Sequence, residues 1–190
     1  SMLQAQPPGL RNFLLATSTL SRLTPELCSE ALQLPDATSL LVQALNRNMF
    51  LARVTGGLAY HTLFRGFLQS QLYDTDPSFF LELHNKAAKW FEKQDQVVEA
   101  VEHYLIAGQT HRAVVLVERV ADTFFVQGRN EALLDWWDNL KGSRQDTPHL
   151  LCACAKIHIE HYNYDVAQNE LHTAEKSFLR VKNRAGAAET

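Results

Sequence analysis

Three alanines, Ala87, Ala121 and Ala155, recur at a spacing of 34 residues and constrain what this 190-residue chain can fold into more than any other feature. They sit inside "LHNKAAKWFEKQ" (83–94), "VERVADTFFVQG" (117–128) and "LCACAKIHIEHY" (151–162), with Trp90, Phe124 and His158, then Phe91, Phe125 and Ile159, following in step. A short polar turn and a second helical stretch come after each segment, at 96–107, 130–140 and 164–179. A small residue at a fixed helical position lets two helices approach closely. A unit of two helices cannot bury its apolar stripe alone, so such units must stack on one another. With only 8 Gly and 6 Pro in the chain, few positions interrupt long helices.

A period of 34 with two helices per unit is the tetratricopeptide-type signature. The register slips by about one residue in the second helices, so the repeats are degenerate. The chain before them is patterned differently. Residues 9–17 read as a short helix with Phe13, Leu14 and Leu15 apolar. "LTPELCSEALQL" offers Thr24 as N-cap and Pro25 at the first helical position. A third helix, 37–47, has Asp36 or Thr38 as its cap and Leu41 and Leu45 inward. The period then changes. "NMFLARVTGGLAYHT" flanks Gly56-Gly57 with β-favouring residues, a hairpin signal, and helix resumes at Leu63. Three helices and a β-hairpin are the winged-helix order. The expected fold is mainly all-α: a winged-helix domain over 1–76, then three tetratricopeptide-like hairpins stacked as a solenoid over 77–190. With almost no linker between them, the two parts are expected to pack together.

A DNA-reading winged helix needs basic residues on its third helix, and here that helix offers only Arg47. The net charge of −3 likewise lacks a nucleic-acid footprint, so no direct DNA binding is expected. No apolar run reaches the ~18 residues of a membrane helix, and the opening Ser1-Met2 reads as an expression remnant on an excised fragment. The polar tail 183–190 is expected to fray. Cys28, Cys152 and Cys154 cannot all pair, which favours reduced thiols and a cytoplasmic setting.

Motifs that carry chemistry are scarce. The sequence contains no G-x-x-x-x-G-K-[ST], G-x-G-x-x-G or G-x-S-x-G. Asp135 and Asp138 read as a solvated helix face, and so do Glu99/Glu102 and Arg112/Glu118/Arg119. Cys154, His158 and His161 share a helical face, yet their spacing is no established zinc pattern and His158 keeps register with Trp90 and Phe124, so no metal site is assigned. Trp90, Trp136 and Trp137 read as inter-helix core before a ligand groove. His61 stands apart. It closes the second wing strand and opens a helix whose free N–H groups and dipole favour an anion.

The succession "FLLATSTLSRLTPELCSEAL", "LLVQALNRNMFL", "YHTLFRGFLQSQL", "LHNKAAKWFEKQDQVVEAVEHYLIAG", "RAVVLVERVADTFFVQGRNEALLDWWDNL" and "HLLCACAKIHIEHYNYDVAQNELHTAEK" resembles the middle of MalT-like, LuxR-family bacterial transcriptional regulators. These are signal-transduction ATPases with numerous domains (STAND). The resemblance covers nearly all of 9–179. It implies a P-loop nucleotide-binding domain before this segment, with a sensor region and a DNA-binding helix-turn-helix after it. His61 matches the family histidine that contacts the β-phosphate of ADP in the resting state, with Thr62 in place of the acidic residue or histidine often found next. The resemblance further implies ATP/ADP with magnesium in the full-length protein and a small-molecule or protein inducer. Self-association is implied only in the active full-length state. By itself the segment is expected to be a cytoplasmic regulatory module and not an enzyme. The alternative is a stand-alone helical-repeat scaffold for protein interaction.

Overall fold

The computed structural model describes residues 3–188; side chains at position 145 and beyond 180 lie outside that description. The fold is mainly α, with 73% of the chain helical and a single small hairpin among the described residues. Helix α1 (Pro8–Thr17), a π-helical turn (Leu27–Ala31) and α2 (Ala37–Asn46) precede strands β1 (Leu51–Val54) and β2 (Gly57–Tyr60). Then follow α3 (Thr62–Thr75), α4 (Pro77–Lys93), α5 (Val97–Ile106), α6 (Thr110–Val126) and α7 (Asn130–Asn139). A 3-10 segment (Lys141–Asp146), α8 (Pro148–Glu160) and α9 (Tyr164–Ala188) complete the order. Helix α9 runs to Ala188, into the tail expected to fray, whose side chains all lie outside the description.

Two compact units form, Ser1–Gln109 and Thr110–Thr190. The expected boundary at 76/77 falls inside the first. There Asp76 ends α3 and starts α4, its Oδ1 accepting from Phe79 N at 2.9 Å with Pro77 at the first helical position. Helix α4 then packs against the π-helical turn, where Trp90 Nε1 donates to Glu30 Oε2 at 3.1 Å.

The wing follows from its glycines. Strands β1 and β2 pair antiparallel with Leu51 opposite Tyr60 and Val54 opposite Gly57. Leu23 adds a bridge to the hairpin, Leu23 N donating to Leu58 O at 2.7 Å and Leu58 N returning to Leu23 O at 2.9 Å. A Cβ on Gly57 would stand 2.5 Å from Leu23 O, so only glycine permits this approach. Gly56, at φ +80°, supplies the turn itself. Thr24 caps as expected, its Oγ1 accepting from Leu27 N. Asp36 does not: at φ 58° its carboxylate makes no cap bond to α2.

The recurrent alanines behave as their spacing requires. Ala87, Ala121 and Ala155 are completely buried, and each pair α4/α5, α6/α7 and α8/α9 forms an antiparallel-type helical hairpin joined by a short turn. The turns share one device. The N–H groups of Gln96, Arg129 and Asn163 bond to the carbonyls of Phe91, Phe124 and His158, while Asp95, Gly128 and Tyr162 take positive φ. Phe91, not Trp90, is therefore the counterpart of Phe124 and His158. The one-residue slip already lies in the first helix of the first hairpin, where adjacent Ala87 and Ala88 are both buried. In the second unit α8 also packs on α6, and Glu118 of α6 caps it from outside: its carboxylate accepts from His149 N and Leu150 N, both at 3.0 Å.

The first hairpin encloses a pair of imidazoles. His84 (1% exposed) and His103 (6% exposed) approach Nδ1 to Nδ1 at 2.9 Å, between the rings of Phe80 and Phe91. Burial, then the nearby positive charge of Arg65, pushes His84 down to about 4. Burial, then His84 and Arg65, pushes His103 down to about 3. Both folded values lie below the unfolded one, so between about pH 6.5 and 4 the unfolded chain takes up protons that the folded hairpin refuses. Stability of this hairpin should fall as pH drops through that window, by about 2 kcal/mol per histidine at pH 5. Hydrogen exchange of the α4 and α5 amides at pH 7 and pH 5 measures it. His84→Leu with His103→Leu should remove most of the pH dependence, and an unchanged slope in that variant would exclude this origin.

Candidate functional site at the wing–helix junction

The last residue of β2, Tyr60, is buried, and its hydroxyl shares a 2.7 Å hydrogen bond with Thr17 Oγ1 at the end of α1. That anchor fixes where the next residue emerges. His61 N donates to Phe50 O at 2.8 Å, and His61 O accepts from Arg65 N at 2.9 Å as the first bond of α3. His61 is thus the N-cap of α3, exposed, with a side chain that makes no cap bond. The first-turn amides of α3 are left without a side-chain cap at the positive end of the helix dipole.

One turn later the helix is locked. Arg65 Nε donates to Ser18 O at 3.0 Å and its Nη2 to Thr19 O at 3.4 Å, while Gln69 Nε2 donates to Ser18 O at 2.9 Å. Ser18 is the C-cap of α1 and Thr19 follows it, so the cation sits at the negative end of the helix dipole. Burial lowers the Arg65 pKa, and the carboxylate of Glu102 opposes that change.

Leu63, Phe64, Phe67 and Leu68 have the helical spacing of a core stripe, but only Leu68 is buried. Leu63 is 79% exposed and Phe67 41%, with Phe64 half-buried between them. Phe50, 54% exposed and at φ 50°, sets its ring tilted 5.1 Å from that of Phe64, which in turn stacks 6.3 Å from Phe67. A bulky residue held at positive φ is costly. The junction therefore presents an imidazole and uncapped amides beside an aromatic shelf. Hydrogen-bond donors for an anion and apolar area for a partner surface stand side by side.

The other sequence candidates fall elsewhere. Cys154 is buried and its Sγ donates to Leu133 O at 3.5 Å. His158 Nδ1 meets Glu170 Oε2 at 2.9 Å, and His161 is exposed. Among the described residues no three His, Cys, Asp or Glu side chains converge on one point. Asp138 pairs with Lys141 on the surface. Trp136 is buried against Phe124 at 5.1 Å, whereas Trp137 is half-buried beneath Arg144, whose guanidinium lies 3.9 Å from the ring centre. Arg47 Nη1 reaches Gln6 Oε1 at 3.3 Å. The role of Glu118 as a cap was missed because its partners lie more than thirty residues away and are backbone amides, which leave no trace in side-chain spacing.

Comparison with known families matches residues 1–79 to the MalT winged helix domain. The chain opens with a MalT-type winged helix. Relatives include serine/threonine-protein kinase PknK of Mycobacterium tuberculosis and that of Mycobacterium bovis. Each is 32% identical over 137 residues, covering 70% of this chain and 12% of the relative. The chain thus spans only a small part of the length of the curated relatives it matches. The alignment is longer than the winged helix, so the likeness runs on into the helical hairpins. No helix among the described residues is long and apolar enough to cross a membrane.

Two substitutions separate architecture from function in this MalT-type domain. Arg65→Met removes charged donors from buried carbonyls and should cost about 2–3 kcal/mol. His61→Ala, at an exposed position without a cap bond, should stay within about 0.5 kcal/mol of the parent. Thermal and urea unfolding of the 190-residue chain test both, and a large loss for His61→Ala would make that imidazole a structural element.

Proposed function

We propose that this segment is the regulatory middle of a MalT-like, STAND-type transcriptional regulator, relaying nucleotide and inducer state between a nucleotide-binding domain and a DNA-binding domain. The observation that carries the reading is the exposed His61 at the uncapped start of α3, flanked by Phe50, Leu63 and Phe67, in a winged helix matched to the MalT domain. In the resting state the nucleotide-binding domain docks on the aromatic shelf, and His61 donates a hydrogen bond to the β-phosphate of ADP. Magnesium and ATP belong to that domain, as does any hydrolysis; the segment relays and does not catalyse. The hairpins are the start of a tetratricopeptide-like array leading to the inducer sensor. Inducer binding shifts the balance only by its differential affinity for the two states. Release of His61 then frees the modules to self-associate on DNA in the cytoplasm. The relatives are named as serine/threonine-protein kinases. This chain spans 12% of their length, so no kinase activity is carried over to it.

The scaffold reading draws on the exposed Ile159, Tyr162, Tyr164, Leu171 and Leu179 of the last hairpin, an apolar set suited to a protein partner. Calorimetric titration of ADP and ATP into the longer protein, parent against His61→Ala, separates the two. The switch reading predicts at least a tenfold loss of ADP affinity with ATP affinity retained. Equal affinities for both nucleotides in both proteins would leave the scaffold reading in place.

A further inference from the structure

The first unit contains a cleft of about 720 Å³ that the reading above does not use. It opens between α1, α2, the end of α3 and the start of α4. Leu15, Leu34, Leu40 and Phe79 form its walls and are only half-buried, each with one side turned to the opening. The volume lies within the range of small-molecule sites, and the walls are apolar as such sites require. His61 stands at the other end of α3, a helix 14 residues long, and so about 20 Å away. The cleft is therefore a separate place from the wing–helix junction.

The charged groups that line it carry one sign. Asp36 and Asp76 both line the cleft, and no Lys, Arg or His does among the described residues. Asp36 occupies the N-cap position of α2, where an aspartate ordinarily bonds the first-turn amides. Here its left-handed backbone leaves the carboxylate without a cap bond, on the rim. Gln33, three residues earlier, is also left-handed, so this wall of the cleft is held in a costly conformation. Asp76 uses Oδ1 to cap α4. Two carboxylates without a cation, above an apolar floor, are complementary to a positively charged group carrying an apolar body. We propose that this cleft is a binding site for a small amphipathic cation: an aromatic or aliphatic body with an ammonium head. The body lies against Leu40 and Phe79 and the ammonium donates to Asp36 and Asp76. Such a ligand touches the winged helix and the first turn of α4 at once. It binds only the folded unit and so stabilises the α3–α4 joint.

Three matched probes test the proposal on the 190-residue chain by amide chemical-shift titration: 4-phenylbutylammonium, 4-phenylbutanol and 4-phenylbutanoate. The ammonium should move the amides of Leu15, Leu40 and Phe79. It should bind about tenfold more tightly than the alcohol, and the carboxylate should bind most weakly. Asp36→Asn, which keeps a residue tolerant of the left-handed region, should remove most of the preference for ammonium over alcohol. Gly9 also lines the cleft, and a Cβ there meets no atom within 4 Å. Gly9→Leu should block binding while leaving the melting temperature equal or higher, since leucine favours helix over glycine. Shifts confined to other surfaces, equal binding of alcohol and ammonium, or full binding by Gly9→Leu would each overturn the assignment.

Discussion

The guanidinium of Arg65 donates to the carbonyls of Ser18 and Thr19, where α1 ends and the negative end of its dipole is concentrated, and Gln69 adds a second donor to Ser18. Much of the first unit depends on that lock. It fixes the rotation of α3, and with it what the two ends of that helix present. At one end, four residues back from Arg65, stands His61; at the other, Leu72 and Asp76 help to shape the cleft. The same charge bears on His84 and His103, making their protonation still less favourable than burial alone does. A single cation, placed by the backbone carbonyls that follow α1, bears on both the seating of α3 and the neutral core of the first hairpin.

Some of this architecture was legible in the sequence because it arises from steric demands that leave a local mark. The alanine recurrence is one: close helix approach admits nothing larger, and Ala87, Ala121 and Ala155 are fully buried. Gly56-Gly57 is another, since the wing needs a positive φ and the Leu23 carbonyl excludes a Cβ at Gly57. Thr24 with Pro25 marked a helix start through local hydrogen-bonding chemistry alone. In each case the residue type carried the reason within a few positions of itself.

What was not legible depends on partners far along the chain. Leu63 and Phe67 have the spacing of a core stripe, yet periodicity does not say which face of α3 meets α1; Arg65 and Gln69 decide that, and they turn Leu63 and Phe67 outward. Asp36 has the identity and position of a cap, but its backbone conformation carries the carboxylate off the helix end. Glu118 looks like a solvated glutamate until α8 arrives with two free amides. Burial raises the Glu118 pKa, and the two amides oppose that change. The apolar residues around His61 illustrate the same point from the functional side. A chain that exposes Leu63, Phe67 and a left-handed Phe50 next to an uncapped helix start accepts a cost that its own fold does not recover.

Direct observation of the His61 imidazole as nucleotide is exchanged tests the central claim most sharply. The measurement is carbon-13 NMR of the longer protein with histidine labelled at Cε1, His61 being assigned by the resonance absent from His61→Gln. The account predicts that ADP displaces the His61 resonance and that replacing ADP by ATP returns it toward its nucleotide-free position. A resonance indifferent to which nucleotide is bound would contradict the account and leave the wing–helix junction as a surface for some other contact.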